Sequence, residues 1–466
     1  MSPNASDTIC AIATATGRGG IGIVRISGPK TRQISAEVLG FNPTPRQAHS
    51  ANFLNASGAI IDSGIAIFYA APNSFTGEDV LELQGHGGTQ ILNEVMGQVL
   101  SFGARQANPG EFSERAFLNN KIDLVQAEAI ADLIDAGSKQ AARSAMRTLK
   151  GEFSKRVELM QEQLTATRVN VEAAIDFSDE DIDVISDTGV VEAIKDTLTE
   201  LKKVFEQAQQ GVILKEGMNV VIAGKPNVGK SSLLNALAGE NTAIVTDIPG
   251  TTRDVLKMEI SLEGMPIHIF DTAGLRSSED LVELEGIKRA QQTIEQADQV
   301  LLVIDAAHQQ HGVNNLLSLL EEFQSELTLN SDGTTNLTFI LNKVDLVKEL
   351  EAARTSVSLN NKDYPQISLS AKSGEGLNLL REHLKQIIGY LPSEGGDFVA
   401  RERHLKALNS AKGFINSALS NISKHSPYEI VAEDLRLAQK ALGAISGEFT
   451  SDDLLGEIFS SFCVGK

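Results

Sequence analysis

Tryptophan is absent from this sequence, and cysteine occurs only twice, at Cys10 and Cys463, near opposite ends of 466 residues. Thiols so far apart give neither a disulfide framework nor zinc-ligand spacing, and the eight histidines form no paired motif, so no structural metal is expected. No apolar run approaches the ~18 residues of a spanning helix, which predicts a soluble chain that does not engage a membrane. The first residues, MSPNASDTICAIATATG, lack a positively charged stretch and carry Asp7. They pass straight into strand-like alternation, so a cytoplasmic protein without a targeting segment is expected. Basic charge is scarce as well: 41 Lys and Arg face 61 Asp and Glu, a formal net charge of −20. That balance disfavours general binding to a polyanion, because phosphate contacts need clustered cations. One local exception is KQAARSAMRTLKGEFSKR, residues 139–156, with Lys139, Arg143, Arg147, Lys150, Lys155 and Arg156 against Glu152. The first four recur at helical spacing. A solvated helix face is the favoured reading and RNA contact the lesser one.

What remains is ordinary globular composition, 42% hydrophobic and 22% charged, in a chain long enough for several domains. Residues 1–120 alternate short β-type runs (TICAIAT, IGIVRIS, AIIDSGIAIFYA, VLELQGHGG) with glycine-rich turns, predicting an α+β domain. Residues 121–212 and 388–466 carry helical patterns; Ile122, Val125, Ile130, Leu133 and Ile134 make one apolar stripe. The acidic run VEAAIDFSDEDID, holding Glu172, Asp176, Asp179, Glu180, Asp181 and Asp183, lacks the glycine and closing glutamate of an EF-hand. It reads as a solvated connection between helices. Residues 213–387 alternate strand and helix, the pattern of a parallel sheet. Neither helical segment buries its stripe alone, so the two are expected to pack together with the α/β unit inserted between them.

That α/β unit opens with MNVVIAGKPNVGKSSLLNALAG, in which Gly224 to Ser231 read G-x-x-x-x-G-K-S between a strand and an amphipathic helix. Glycines let backbone amides approach phosphate, Lys230 supplies charge near the β and γ phosphates, and Ser231 is placed to ligate Mg2+. The contacts of this loop fall on Asn227, Val228, Gly229, Lys230, Ser231 and Ser232. TDIPGTTRD looks like a switch segment, Thr246, Asp247, Ile248, Pro249, Gly250, Thr251 and Thr252, in which Thr252 would complete the Mg2+ shell. Arg253 is either an arginine finger or structural. HIFDTAG ends at Asp271, Thr272, Ala273 and Gly274. FILNKVD brings Asn342, Lys343 and Asp345, whose carboxylate can accept both donors on the edge of guanine, and SLSAK adds Ser370, Ala371 and Lys372. The order resembles the G1, G3, G4 and G5 motifs of GTPases, so GTP is the expected substrate. Leu275 stands where Ras-like enzymes carry the water-orienting glutamine. Glu279, Asp280, Glu283 and Glu285 downstream are all candidates for that task.

GRGGIGIVRISG, LELQGHGG, KIDLVQAEAIADLI, GKPNVGKSSLLN, IPGTTRD, DTAGLR, VELEGIKRA and the closing FCVGK together resemble the MnmE (TrmE) family, GTPases that modify the wobble uridine of tRNA, and they span essentially the whole chain. The resemblance implies a G domain inserted in a helical domain. It implies a K+ site at Asn227, Thr246, Ile248 and Thr251, catalysis by Glu283 as water-orienting residue, and G domains that meet across their nucleotides. It further implies an N-terminal domain similar to folate-dependent aminomethyl transferases. That domain would form the homodimer and bind 5-formyltetrahydrofolate or a related reduced folate through Arg25, Glu82, Lys121 and Lys466. The family works with an FAD-dependent partner, MnmG (GidA), as a heterotetramer or larger, with tRNA as substrate of the complex.

Gly17, Gly19 and Gly22 satisfy the G-x-G-x-x-G dinucleotide fingerprint, but strand-like alternation follows rather than a helix, so a glycine-rich hairpin is expected and no nicotinamide or flavin site. The terminal cysteine is no prenylation box, since Gly465 is not aliphatic and Lys466 is not an accepted last residue. By the resemblance Cys463 instead becomes a catalytic candidate that handles the modification intermediate near the folate. The reading is a K+-activated GTPase that, with its flavoprotein partner, adds a (carboxymethyl)aminomethyl group to C5 of uridine 34, the carbon coming from folate. Its rival is a regulatory GTPase switch in ribosome assembly, which would need neither the first 120 residues nor the cysteine tail.

Overall fold

The computed structural model describes residues 7–15, 17–176, 189–239, 257–262, 265–271, 297–308, 337–348, 350–359, 362–388, 398–448, 452–460, 462 and 465. The chain divides into two compact units, one of Met1–Ile134, Met146–Phe205 and Arg403–Lys466, the other of Asp135–Ala145 and Glu206–Glu402.

In the first unit β1 (Ile9–Ile12) and β2 (Gly22–Ser27) pair antiparallel, so the glycine-rich run between them is a hairpin connection and opens no helix. The chain continues through α1 (Thr31–Leu39), β3 (Ala48–Leu54), β4 (Ile60–Tyr69), β5 (Val80–Gly85), α2 (Thr89–Ser101), β6 (Arg105–Gln106) and α3 (Glu111–Leu118). The sheet order is β3-β4-β5-β2-β1-β6, antiparallel except for β1 with β6. Alternation along the strands sorts the side chains. Val24, Ile26, Ala66, Phe68, Leu81 and Leu83 are buried with Ile34, Val38, Leu92, Val95 and Val99 of α1 and α2. Arg25, Glu82 and Gln84 occupy the opposite face. Strand β3 was not anticipated, because AHSANFL buries only Phe53 and so carries little apolar signal.

Helices α4 (Leu124–Ile134), α5 (Lys139–Leu149), α6 (Glu152–Asp176) and α7 (Val190–Glu216) follow. Helix α4 starts later than its apolar stripe. Asp123 Oδ1 accepts from Gln126 N at 2.8 Å while Asp123 N donates to Gln126 Oε1 at 3.0 Å, a reciprocal cap that stops the helix short of Ile122. The basic stretch is partly neutralised: Arg147 pairs with Glu152 at 2.9 Å and Arg156 with Glu200 at 2.5 Å. Lys150 lies just past the end of α5. Residues 177–183 of the acidic run lie outside the described residues, while Glu172 pairs with Arg168 at 3.1 Å inside α6.

The second unit is built on β7 (Met218–Ala223), α8 (Lys230–Ala238), β8 (Lys257–Leu262), β9 (Met265–Asp271), β10 (Gln299–Asp305), β11 (Leu337–Asn342), β12 (Ala353–Leu359), β13 (Lys362–Ser368) and α9 (Leu377–Ile388). Its sheet runs β12-β13-β11-β10-β7-β9-β8, with five parallel strands in the middle and an antiparallel strand at each edge. LTFILN of β11 is buried at every position and QVLLVID of β10 at all but the last, the uninterrupted apolar reading of strands covered on both faces. Register pairs Leu302 with Ala223 and Asp305 with Asn342, so the carboxyl ends of β7, β10 and β11 open on one edge. That edge is where open α/β sheets bind ligands.

Helices α10 (Glu402–Ser423), α11 (Tyr428–Ser446) and α12 (Asp452–Ser460) complete the chain. Ile458 and Phe459 of α12, with Phe462 beyond it, pack on Leu124 and Ala127 of α4. A buried ion cluster joins α4 to α10: Glu128 Oε1 accepts from Arg403 Nε at 2.8 Å, and Oε2 from Arg403 Nη2 at 2.9 Å. His404 Nε2 lies 3.1 Å from the same Oε2. Among the described residues no helix is long and apolar enough to cross a membrane.

Candidate functional site

The loop between β7 and α8 is shaped by two glycines. At Gly224 (φ +142°) a Cβ would lie 2.3 Å from the Val303 carbonyl oxygen, and at Gly229 (φ +99°) it would lie 2.2 Å from Asn342 Nδ2. Only residues without a side chain allow β10 and β11 to come so close. Lys230 begins α8 and donates from Nζ to the Gly224 and Lys225 carbonyls at 2.7 and 2.9 Å, which holds its ammonium across the loop. Ser231 and Ser232 are exposed in the first turn of the helix. The Ser231 hydroxyl there suits a hard cation such as Mg2+, and the helix N-terminus suits phosphate.

Asn342 holds two loops together. Its side chain is buried; Nδ2 donates to the Val228 carbonyl at 2.9 Å and Oδ1 accepts from Ala371 N at 2.9 Å. It therefore braces the phosphate loop against the loop after β13. Asp345 is exposed, and its Oδ1 accepts from the buried Ser370 hydroxyl at 2.6 Å. This fixes the orientation of a carboxylate that can take two parallel N–H donors. Lys343, in the left-handed region at φ +68°, donates from Nζ to the Asn227 carbonyl at 2.7 Å and to Asp305 Oδ2 at 2.6 Å. A cavity of about 550 Å3 is lined by Gly224 to Val228, Leu302 to Asp305 and Lys343. Asn227 is exposed at its lip. Sequence reasoning missed Asp305. The available signal was an acidic residue ending an apolar strand, VLLVID, that pairs in register with the strand ending in Asn342.

The remaining expected nucleotide contacts are unevenly placed. Asp271 ends β9, beside β7. Thr246 to Thr252, Thr272 to Gly274 and Glu283 lie outside the described residues, as do Cys463 and Lys466.

On the open face of the first sheet, Arg25 and Glu82 stand directly across β2 and β5, with Arg25 Nε and Nη2 donating to Glu82 Oε1 at 3.0 and 2.9 Å. Arg25 Nη1 also reaches the Gly465 carbonyl at 3.4 Å, and the guanidinium lies 5.8 Å from the ring centroids of both Phe75 and Phe112. Lys121 instead donates to the Pro72 carbonyl at 3.0 Å.

Phe112 is held there by an ion network that anchors α3. Glu111 bridges Arg105, through Oε1 and Oε2 at 2.6 and 2.8 Å, and Arg115 at 2.9 Å. Arg115, 3% exposed, also meets Asp7 at 2.6 Å and Glu78 at 3.1 Å. Burial alone would raise the Glu111 carboxyl, but Arg105, the Asn108 amide and Arg115 outweigh it and hold Glu111 below the usual carboxylate range. Asp7 is lowered in the same way by Arg105 and Arg115 against its own burial.

These local geometries meet a consistent set of relatives. A profile described as the TrmE N-terminus of GTP-binding proteins matches residues 8–121, and one described as the MnmE helical domain matches 124–463. The "tRNA modification GTPase MnmE" of Hydrogenovibrio crunogenus is 52% identical over 100% of both chains. The chain belongs to the MnmE family. Namesakes from Proteus mirabilis and Coxiella burnetii are 54% and 51% identical over at least 99% of either chain. The two MnmE profiles meet between residues 121 and 124, at the Asp123 cap that starts α4.

Proposed function

We propose that this protein is a K+-activated GTPase that, with an FAD-dependent partner of the MnmG kind, installs a (carboxymethyl)aminomethyl group on C5 of uridine 34 in certain tRNAs. A reduced folate donates the carbon. The observation that carries the GTPase reading is a cavity lined by the phosphate-loop residues Gly224 to Val228 and by Lys343, with the Lys230 ammonium bonded across that same loop and the Asp345 carboxylate, two residues beyond Lys343, held by Ser370. The relatives' printed name supplies the tRNA-modifying class.

In this reading residues 213–387 are a G domain inserted in a helical domain of 121–212 and 388–466, after an N-terminal domain of 1–120. The division of the chain supports an insertion, since Glu206–Glu402 falls between two segments of the other unit. Asp345 accepts the N1 and N2 protons of guanine, which adenine cannot supply. Lys230 and the amides at the start of α8 bind phosphate. Ser231 and Thr252 hold Mg2+, and Asn227, Thr246, Ile248 and Thr251 hold K+; these cations offset charge that develops on the phosphate oxygens. Glu283 orients the attacking water. The exposed side chain of Asn227, beside the cavity, fits a cation ligand.

Arg25, Glu82, Lys121 and Lys466 form the folate site in this proposal. The Arg25 and Glu82 pair fits a pterin with a carboxylated tail, because Glu82 accepts ring N–H groups and Arg25 meets anionic oxygens. The Gly465 carbonyl beside Arg25 supports a tail that brings Cys463 to the same place. We assign the working form as a cytoplasmic homodimer. The purified chain is expected to hydrolyse GTP faster in K+ than in Na+, and equal rates would sink the K+ assignment. Cys463→Ser is expected to leave hydrolysis intact and abolish modification; normal uridine 34 nucleosides in cells carrying only that variant would remove Cys463 from the mechanism.

A further inference from the structure

Five non-glycine residues among those described have positive φ, and two of them, Asn227 (φ +64°) and Lys343 (φ +68°), are joined by one hydrogen bond. Left-handed backbone at such residues persists only where neighbours impose it. The neighbour here is Asp305. Its Oδ2 accepts from Lys343 Nζ at 2.6 Å, and its Oδ1 accepts from Ala307 N at 3.0 Å, capping the short 3-10 turn Ala306–His308. The Asp305 side chain is 12% exposed and that of Lys343 29%, so the pair is shielded from bulk water. Register places Asp305 directly opposite Asn342, the brace of the phosphate loop.

We propose that Asp305 is a positioning residue for the nucleotide and cation sites. Its carboxylate fixes the Lys343 ammonium, and Lys343 in turn fixes the backbone of Asn227. One carboxylate thus sets the lysine beside the base pocket and the loop residue at the lip of the phosphate cavity. The charge-assisted contact suits this role, being shorter and stronger than a neutral one. The cation half of the inference rests on the K+ reading above; the nucleotide half does not.

Asp305→Asn separates the two bonds of the side chain, because the amide keeps an acceptor for Ala307 N and loses the charge facing Lys343. In the full-length chain this variant is expected to bind a fluorescent GDP analogue about tenfold more weakly, in Na+ as well as K+. It should need several-fold more K+ for half-maximal GTP hydrolysis. Its nucleotide-free melting temperature should stay with the parent, and Asp305→Glu should recover most of the GDP affinity. Unchanged GDP affinity in Asp305→Asn overturns the proposal, as does equal weakening in the Asn and Glu variants. A large fall in nucleotide-free melting temperature in both variants also overturns it, since Asp305 would then hold the fold rather than the site. If the parent shows no K+ response, the K+ reading fails, while the GDP measurements still decide the role of Asp305.

Discussion

Glu128→Gln tests whether the junction of α4 and α10 depends on charge. Glu128 is 2% exposed at its side chain, and both its oxygens are occupied by Arg403, with His404 beside one of them. Arg403 also donates to the carbonyls of Ala444 and Ile445 at 3.0 and 3.1 Å, so α11 is tied into the same cluster. Glutamine keeps the shape but turns an amide N–H toward a guanidinium. Breaking a buried pair from one side costs about 3–5 kcal/mol. Arg403 remains 21% exposed, which argues for the lower end, about 3 kcal/mol. Hydrogen exchange reads this locally: amides of α4 and α10 should exchange on the order of 100-fold faster in the variant at neutral pH.

Acid should erase part of that difference. Burial would raise the Glu128 carboxyl, but His404 and Arg403 hold it far below the usual range. A depressed carboxylate contributes its full stability above the unfolded value, near pH 4.3, and loses about 1.4 kcal/mol per pH unit below it. The gap between parent and variant should therefore shrink by about 1.8 kcal/mol between pH 4.3 and pH 3. A second variant, Glu128→Gln with Arg403→Gln, removes the uncompensated charge and should exchange more slowly than the single one. A single-variant effect below about 1 kcal/mol that is also independent of pH would refute the reasoning.

The other perturbations address the two sites. Glu111→Gln should destabilise the first unit by about 3 kcal/mol at neutral pH, by removing a buried partner of Arg105 and Arg115, and thermal melts should show the difference fading below about pH 4. Asn342→Ala leaves the Val228 carbonyl and the Ala371 amide without their partner, about 1–3 kcal/mol each, so GDP affinity measured by titration should fall by more than tenfold. Asp345→Asn should weaken GDP without weakening IDP to the same degree, since inosine lacks the exocyclic amine that the carboxylate accepts; equal losses for both would count against the guanine assignment. Phe339→Ala in the covered strand β11 should cost about 3–5 kcal/mol in melting experiments.

Legibility followed sequence distance. The strand, glycine turn and helix around Gly224 to Ser231 and the strand ending at Asn342 were readable because their pattern is local: a fixed spacing next to an apolar run, with no distant partner required. The hairpin between β1 and β2 was readable because strand alternation resumes immediately after the glycines. The pairs that hold these pieces in place were not. Glu128 and Arg403 are separated by 275 positions, and Arg115 and Asp7 by 108. A lone acid or base in a helix pattern looks the same whether it is solvated or buried against a remote partner. Asn342 shows the converse limit. Its place at the end of an apolar strand was evident, but its bracing geometry depends on β11 ending beside two other loops. Strand β3 failed for a third reason, since an edge strand with one buried residue gives no apolar period to detect.

The hydrogen bond between Arg25 and the Gly465 carbonyl spans 440 positions. Domains emerge and fold from the N-terminus at about 5–20 residues per second during synthesis, so Arg25 waits on the order of 20–90 seconds for this partner. During that interval the first sheet can pair all its strands, which lie within residues 9–106, while the Arg25 site still lacks one wall. The residues that close it also follow the entire second unit along the chain. The order of translation thus places completion of the Arg25 site after the nucleotide-binding unit has been made, and a ribosome stalled well beyond Gln106 but before Gly465 leaves a sheet with all its strands and an unfinished site.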